Sequence, residues 1–175
     1  RMPRLTTTST WDGHPANACA SLDLTISDEF LQIAVHAPYF GDPPPPTRAG
    51  PTHELWTFEA VELFVCSAEN PPRYTEIELG PHGHHLVLQL AGVRNRVAEL
   101  LPIHHRAEIH GKHWVGVANI ALSLLPERDK AGWRINATHV WGPPGGRNYA
   151  TAARLSSPKP DFHLPDQFIG GYFAK

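Results

Sequence analysis

The side chains best equipped for chemistry in this sequence are glutamates. Glu62 lies in the segment VELFVC, and Glu76 and Glu78 lie in RYTEIEL. In a strand, residues i and i+2 share a face, so Glu76 and Glu78 stand with Tyr74 on one side and Thr75 and Ile77 stand on the other. Two acids about 5–5.5 Å or about 6.5–9.5 Å apart can flank and hydrolyse a glycosidic bond. The same acids on a half-polar sheet accept hydrogen bonds from arginine, tyrosine or a bound polyol. Glu62 and Glu76 therefore carry two readings, acid and base of a glycosidase or acceptors for the hydroxyl groups of a small polyhydroxy ligand.

Trp56 adds to the second reading. It sits in HELWTFEAVELF, with Glu54 and Glu59 around it and Glu62 six residues on. An indole beside a carboxylate suits a sugar, whose CH groups stack on the ring while its hydroxyls donate to the acid. A core tryptophan is the competing reading. Trp114, Trp133 and Trp141 fall in strand segments and are read as core or inter-sheet packing. The histidines, His82, His84 and His85 in HGHH and His104 with His105, invite a metal. Strand geometry sends His84 and His85 to opposite faces, and no Asp or Cys completes a shell, so hydrogen-bonded or solvent-facing imidazoles are expected instead.

The elements that position these residues follow from alternation. Leu22, Leu24 and Ile26 alternate with polar residues, and after a turn at Ser27-Asp28 so do Leu31, Ile33 and Val35, which predicts a hairpin. Further strands are expected at 61–66, 73–79, 84–90, 105–110, 112–120, 132–141, 148–154 and 168–173. Ten short strands between turn signals predict an all-β, antiparallel, jelly-roll-like β-sandwich. Only ALSLLPE, residues 121–127, suits a short helical turn, closed by Pro126. Pro43 to Pro46 lack backbone donors and favour polyproline II, so GDPPPPTRAGP is a long loop, read as a stiff crossover between strands. Docking of proline-reading modules on that loop, a scaffold role, would require an exposed apolar patch around it.

With 175 residues the chain fits a single domain, residues 1–175, able to bury a core. A net charge of -2 supplies no basic field for nucleic acid, and no apolar run reaches the roughly 20 residues that span a bilayer. Neither nucleic acid nor a membrane is an expected partner. Cys19 and Cys66 show no CxxC or CxH spacing and are read as free thiols. Arg1 before Met2 reads as an added or trimmed start, and the N-terminal residues lack the apolar stretch of a secretory signal, so a cytoplasmic location is expected.

The succession LWTFEAVELFV, RYTEIELGPHGHH and SSPKPDFHLPDQFIG resembles, in order and over nearly the whole chain, the family 9 carbohydrate-binding module, a β-sandwich of the DOMON-like group. TWDGHP, HAPYFGDPPPPTRAGPTHELW and ELGPHGHHLVLQLAGVRNR resemble more closely a family of small intracellular proteins typified by the human chromosome 4 open reading frame 33 product, which brings no activity with it. The wider resemblance implies sugar binding in a cleft, with two tryptophans sandwiching a terminal ring. Trp56 and Glu62 match the first aromatic and its acid, Arg94 matches the hydroxyl-binding arginine, and Asn148 takes the place of a late polar contact. Where the second tryptophan is expected the chain has Arg154-Leu155, so the sandwich is incomplete and an anionic ligand meeting Arg147 or Arg154 is a variant of the same reading. Asp161 to His163 match a structural turn. Haem-binding members of the group use Met and His ligands, and the only methionine here is Met2, so haem is not expected. Calcium occurs in related modules at oxygen-rich loops, but no Asp-rich loop here supplies its residues; calcium is left open without assigned residues, and no other cofactor is expected.

Overall fold

The computed structural model describes residues 3–175; Arg1 and Met2, on which the reading of the start and of a haem methionine rested, lie outside the described residues. Among the described residues thirteen strands form, β1(Arg4–Thr6), β2(Ser9–Thr10), β3(Ser21–Ile26), β4(Phe30–Pro38), β5(Ala60–Cys66), β6(Arg73–Leu79), β7(His85–Ala91), β8(Arg96–Glu99), β9(His104–His110), β10(His113–Ala121), β11(Trp133–Trp141), β12(Asn148–Thr151) and β13(Ile169–Tyr172). The expected strands all appear, with ends moved by a few residues. The additions β1, β2 and β8 have two to four residues each, too short to show a period. The predicted turn after β10 is a 3-10 turn at Leu122–Leu124.

The strands make two antiparallel sheets. The first runs β1-β3-β4-β10-β9, and the second β2-β12-β11-β5-β6-β7-β8, with β13 beside β12 on the same edge of β11. The β3–β4 turn closes because Ser27 Oγ accepts the backbone N–H groups of Glu29 and Phe30. Between the sheets lie Leu22, Leu24, Ile33, Val35 and Trp114 from the first and Val61, Leu63, Ile77, Val87 and Ile135 from the second. β4 and β10 alternate buried and accessible positions because one face meets water. β5 is buried at all seven positions, and β6 at all but Arg73.

That double burial has a source. The outer face of the second sheet is roofed by the loop before β5 and the loop after β12, which pack Leu55, Leu155, Phe162 and Phe168 onto Phe64, Tyr74, Leu86 and Leu88. The sandwich therefore has a third layer made of loops. The proline loop is the crossover from the first sheet to the second; Pro45 is buried and Pro43, Pro44 and Pro46 are exposed. Glu59 fixes its entrance by accepting the N–H groups of Phe40 at 2.8 Å and Asp42 at 3.2 Å.

Several aromatic and imidazole groups depart from expectation. Trp114 and Trp133 are core, but Trp141 is half-buried and stacks on Phe40 at 4.4 Å. His84 precedes its strand rather than joining it, and its Nε2–H donates to the Thr47 carbonyl at 2.8 Å. His105 donates likewise to Gly80 at 2.9 Å. His85 is neither solvent-facing nor hydrogen-bonded: it is buried, both ring nitrogens lack partners, and burial lowers its pKa to about 4. His139 shares that condition against Phe40 and Trp141, and burial holds it at about 3.

Stability should therefore fall in acid. His139 stays neutral when folded, whereas the unfolded chain gains a proton below its ordinary value of 6.5. Its contribution is intact above that pH and is lost as pH falls from 6.5 toward 3. Urea titrations at pH 7 and pH 5 should differ by about 2 kcal/mol from this group alone. His139→Phe should reduce that difference; an unchanged pH dependence would reject the assignment.

Candidate functional site

On the outer face of the second sheet the loop roof leaves a cavity of about 240 Å³. Its floor is set by strand register. Glu62 on β5 pairs with Glu78 on β6 and with Thr138 on β11, while Glu76 pairs with Phe64. Glu62, Glu76 and Glu78 thus share one face, as the alternation of RYTEIEL requires, and each offers an oxygen within 4.8 Å of the other two. All three are buried. Thr138 Oγ1 donates to Glu62 at 3.1 Å. Burial first, and the neighbouring acids second, push Glu62 well above the ordinary carboxylate range; burial and the same repulsion raise Glu78. The acids sit side by side on one floor and do not face each other across a cleft.

The walls come from loops. Trp56 is half-buried on the 3-10 turn Leu55–Thr57, anchored by buried Leu55 and entered through Glu54 in the left-handed region at φ 54°. Arg96 on β8 lies over its ring, 4.9 Å from the centroid. Arg147 then fixes the turn's backbone, donating to the carbonyls of Trp56 and Phe58 at 2.8 Å and of Gly142 at 2.7 Å. Tyr149 supplies a further aromatic on the same cavity.

A polar chain closes another side. Arg94, at φ 59°, donates its backbone N–H to Tyr74 Oη at 3.0 Å and its guanidinium to Asp161 at 2.7 Å. Tyr74 Oη lies 2.8 Å from His163 Nδ1. In the tautomer that gives the buried phenol O–H an acceptor, Tyr74 donates to Nδ1 and the His163 proton sits on Nε2, facing Glu76 at 3.8 Å. Burial keeps His163 below its ordinary pKa, so this ring is a neutral donor at pH 7.

Of the residues singled out in the sequence, Trp56, Glu62, Glu76 and Arg94 meet at this cavity. Asn148 and Arg154 do not. Asn148 turns its amide back to the Gly146 carbonyl, and Arg154, beyond the end of β12 at Thr151, is exposed between buried Ala153 and Leu155. Leu155, at the expected second tryptophan, packs into the outer core. Arg147, offered above to an anionic ligand, is occupied by carbonyls. Asp161 to His163 are more than a turn, since they line the cavity. Arg96 and Tyr149 were missed, Asp161 and His163 were read only as a turn, and Glu78 was named beside Glu76 without a place at the site; an acid and an imidazole flanked by prolines in KPDFHLPD were the available signal for Asp161 and His163.

No family model matches the chain. Over 168 residues it is 34% identical to the UPF0462 protein C4orf33 homolog of Mus musculus, spanning 91% of this chain and 85% of the relative. Identity to UPF0462 protein C4orf33 of Homo sapiens is 33%, over 91% and 82%. The chain belongs to the UPF0462 family. This UPF0462 sandwich is similar in fold to a "putative carbohydrate-binding protein" from Bacteroides uniformis ATCC 8492, with a TM-score of 0.74 at 15% identity over 97% of this chain and 85% of that one. It is also similar to a carbohydrate-binding module of family 9 from Caldicellulosiruptor kristjanssonii solved with cellotriose, with a TM-score of 0.57 at 12% identity over 97% and 78%. These likenesses establish the carbohydrate-binding-module type of β-sandwich for the UPF0462 chain.

Arg147 is the element of the UPF0462 site whose loss should be felt most in folding. Replacement by Ala strips three carbonyls of a charged donor in a part-buried setting, a cost of about 2–4 kcal/mol. Urea denaturation of Arg147→Ala measures it, with Arg147→Lys recovering part. A change below about 0.5 kcal/mol would show that the clamp is not formed in solution.

Proposed function

We propose that the cavity binds one ring of a small polyhydroxy ligand, a sugar or sugar derivative, without catalysing its conversion. The observation that carries this reading is the meeting, at one cavity of about 240 Å³, of the Trp56 ring, the Glu62 and Glu76 carboxyls and the Arg94 and Arg96 guanidiniums. Pockets for drug-sized ligands run to about 300–1,000 Å³, so this one fits something smaller. A pyranose presents apolar CH groups to an indole and hydroxyls that both donate and accept. Glu62 and Glu76 are acceptors for its donors, while the arginines and the His163 Nε2–H donate to its oxygens. Tyr149 takes up part of the stacking role for which no second tryptophan is present.

Two supports come from elsewhere. The family 9 modules of the same fold were solved with cellotriose and with glucose. The adjacent, same-side placement of Glu62 and Glu76 suits hydrogen bonding to one ring better than it suits acid and base on either side of a bond. A cytoplasmic setting belongs to the same proposal and agrees with the unpaired state of exposed Cys19 and buried Cys66.

Calorimetric titration of glucose, xylose, cellotriose and glucose 6-phosphate tests the proposal. Binding should appear with at least one of them and weaken about tenfold in Trp56→Ala, as loss of a stacking contact of about 1–1.5 kcal/mol requires. Silence across this panel would reject the sugar reading. Turnover of chromogenic glycosides that disappears in both Glu62→Gln and Glu76→Gln would replace it with hydrolysis.

A further inference from the structure

Glu78 is the part of the cavity floor that hydrogen bonding to a sugar leaves unused. It is fully buried, at 0% exposure, and neither carboxyl oxygen meets a donor other than the neighbouring acids. Its side chain projects from β6 directly opposite Glu62 and on the same face as Glu76. Among the described residues the only basic group within 4.0 Å of any of the three acids is His163, at Glu76. Glu62 has only the Thr138 hydroxyl, Glu76 only the His163 ring at 3.8 Å, and Glu78 no donor at all; burying acids with so few partners is costly, so the arrangement points to a positive species that belongs among them.

The oxygen separations say what size that species is. Two oxygens on opposite sides of an ion with metal–oxygen distances of about 2.3–2.6 Å lie about 4.6–5.2 Å apart, and here one oxygen from each acid lies within 4.8 Å of the others. The donor set is all oxygen, with no thiolate or imidazole in the trio, which selects a hard ion over zinc or copper. Glu62 and Glu76 line the cavity, whereas Glu78 stands beside them on the same sheet face and is not among the lining residues. An ammonium group carried on an organic ligand would reach the first two and leave Glu78 uncompensated; a bare ion can sit among all three.

We infer that Glu62, Glu76 and Glu78 form a site for one hard divalent cation, calcium or manganese, whose remaining coordination positions open into the cavity. Thr138, through its hydrogen bond to Glu62, orients one ligand. Hydroxyl groups or water entering from the cavity complete the shell. The site stands independently of the sugar proposal, since it is built from the floor alone.

The test uses the full chain stripped with chelator and dialysed. Calorimetry with CaCl₂ and electron paramagnetic resonance with MnCl₂ should each report one ion per chain, with a dissociation constant on the order of 1 mM or below. Glu78→Gln keeps the shape of the side chain and should weaken binding by about tenfold or more while the metal-free protein melts no earlier than wild type. Glu62→Gln should act likewise, and Glu108→Gln, an exposed change on the first sheet, should leave binding unaltered. No ion bound to wild type at about 10 mM, or binding indifferent to both floor variants, would overturn the inference. Binding of glucosamine hydrochloride, but of no metal, would overturn it in favour of an ammonium ligand. Metal binding without affinity for any neutral sugar would uphold the cation site and remove the sugar reading; sugar binding unaffected by chelator, with no metal bound, would do the reverse.

Discussion

The centre of the second sheet has no side that faces water, and the arrangement of the molecule follows from that. An antiparallel sheet in a two-layer sandwich ordinarily spends one face on the core and leaves the other wet. Here β5 and most of β6 are buried on both faces, so the loops before β5 and after β12 must form a roof. A roof of loops is irregular, and its backbone polar groups need partners that a sheet cannot supply. Arg147 answers part of that need with three carbonyls from two loops, and Glu59 answers another with two amides at the proline crossover. The cavity is what remains where roof and sheet do not meet.

The distribution of charge follows the same geometry. Arginines reach the site from loops and a short edge strand, and their guanidiniums end at the rim: Arg94 on Asp161, Arg96 on Trp56, Arg147 on carbonyls. The glutamates reach it from two central strands and end at the bottom, and Asp161, from a loop, is the acid that joins the rim. Long side chains with charged tips can stretch to the edge of a buried region, whereas a glutamate on a central strand is confined to where its strand lies. Glutamates below and guanidiniums above therefore result from which elements carry them, and the cavity has a polarity along its depth.

The sheets were legible in the sequence because the period of two survives wherever one face is apolar. VELFVC and RYTEIEL revealed the strands and the shared face of Glu76 and Glu78, and the prolines at Pro43 to Pro46 marked the crossover. Strands of two to four residues, β1, β2 and β8, hold too few positions for any period to emerge. The site was legible where it rests on strands or follows one closely. Asn148 and Arg154 were assigned by the family resemblance alone, and neither reaches the cavity: Asn148 turns its amide to Gly146, and Arg154 lies exposed beyond β12. His163 and Asp161 were undervalued because a loop that folds back over a sheet brings residues together across 89 and 67 positions of sequence, to Tyr74 and Arg94, and nothing local encodes such a return.

A bottom built on strands and sides built on loops divide the cavity into parts with different freedom to vary through descent. A change at Glu62, Glu76 or Glu78 alters a ladder position flanked by paired strands on both sides, and the whole sheet must tolerate it. A change within 152–168 alters a wall and leaves every register untouched. Insertions and substitutions accumulate most readily in connecting segments, so kindred chains can exchange the shape and polarity of the walls while inheriting the same acidic base. Lineages of this sandwich are thereby free to acquire new ligands piecemeal, one loop at a time.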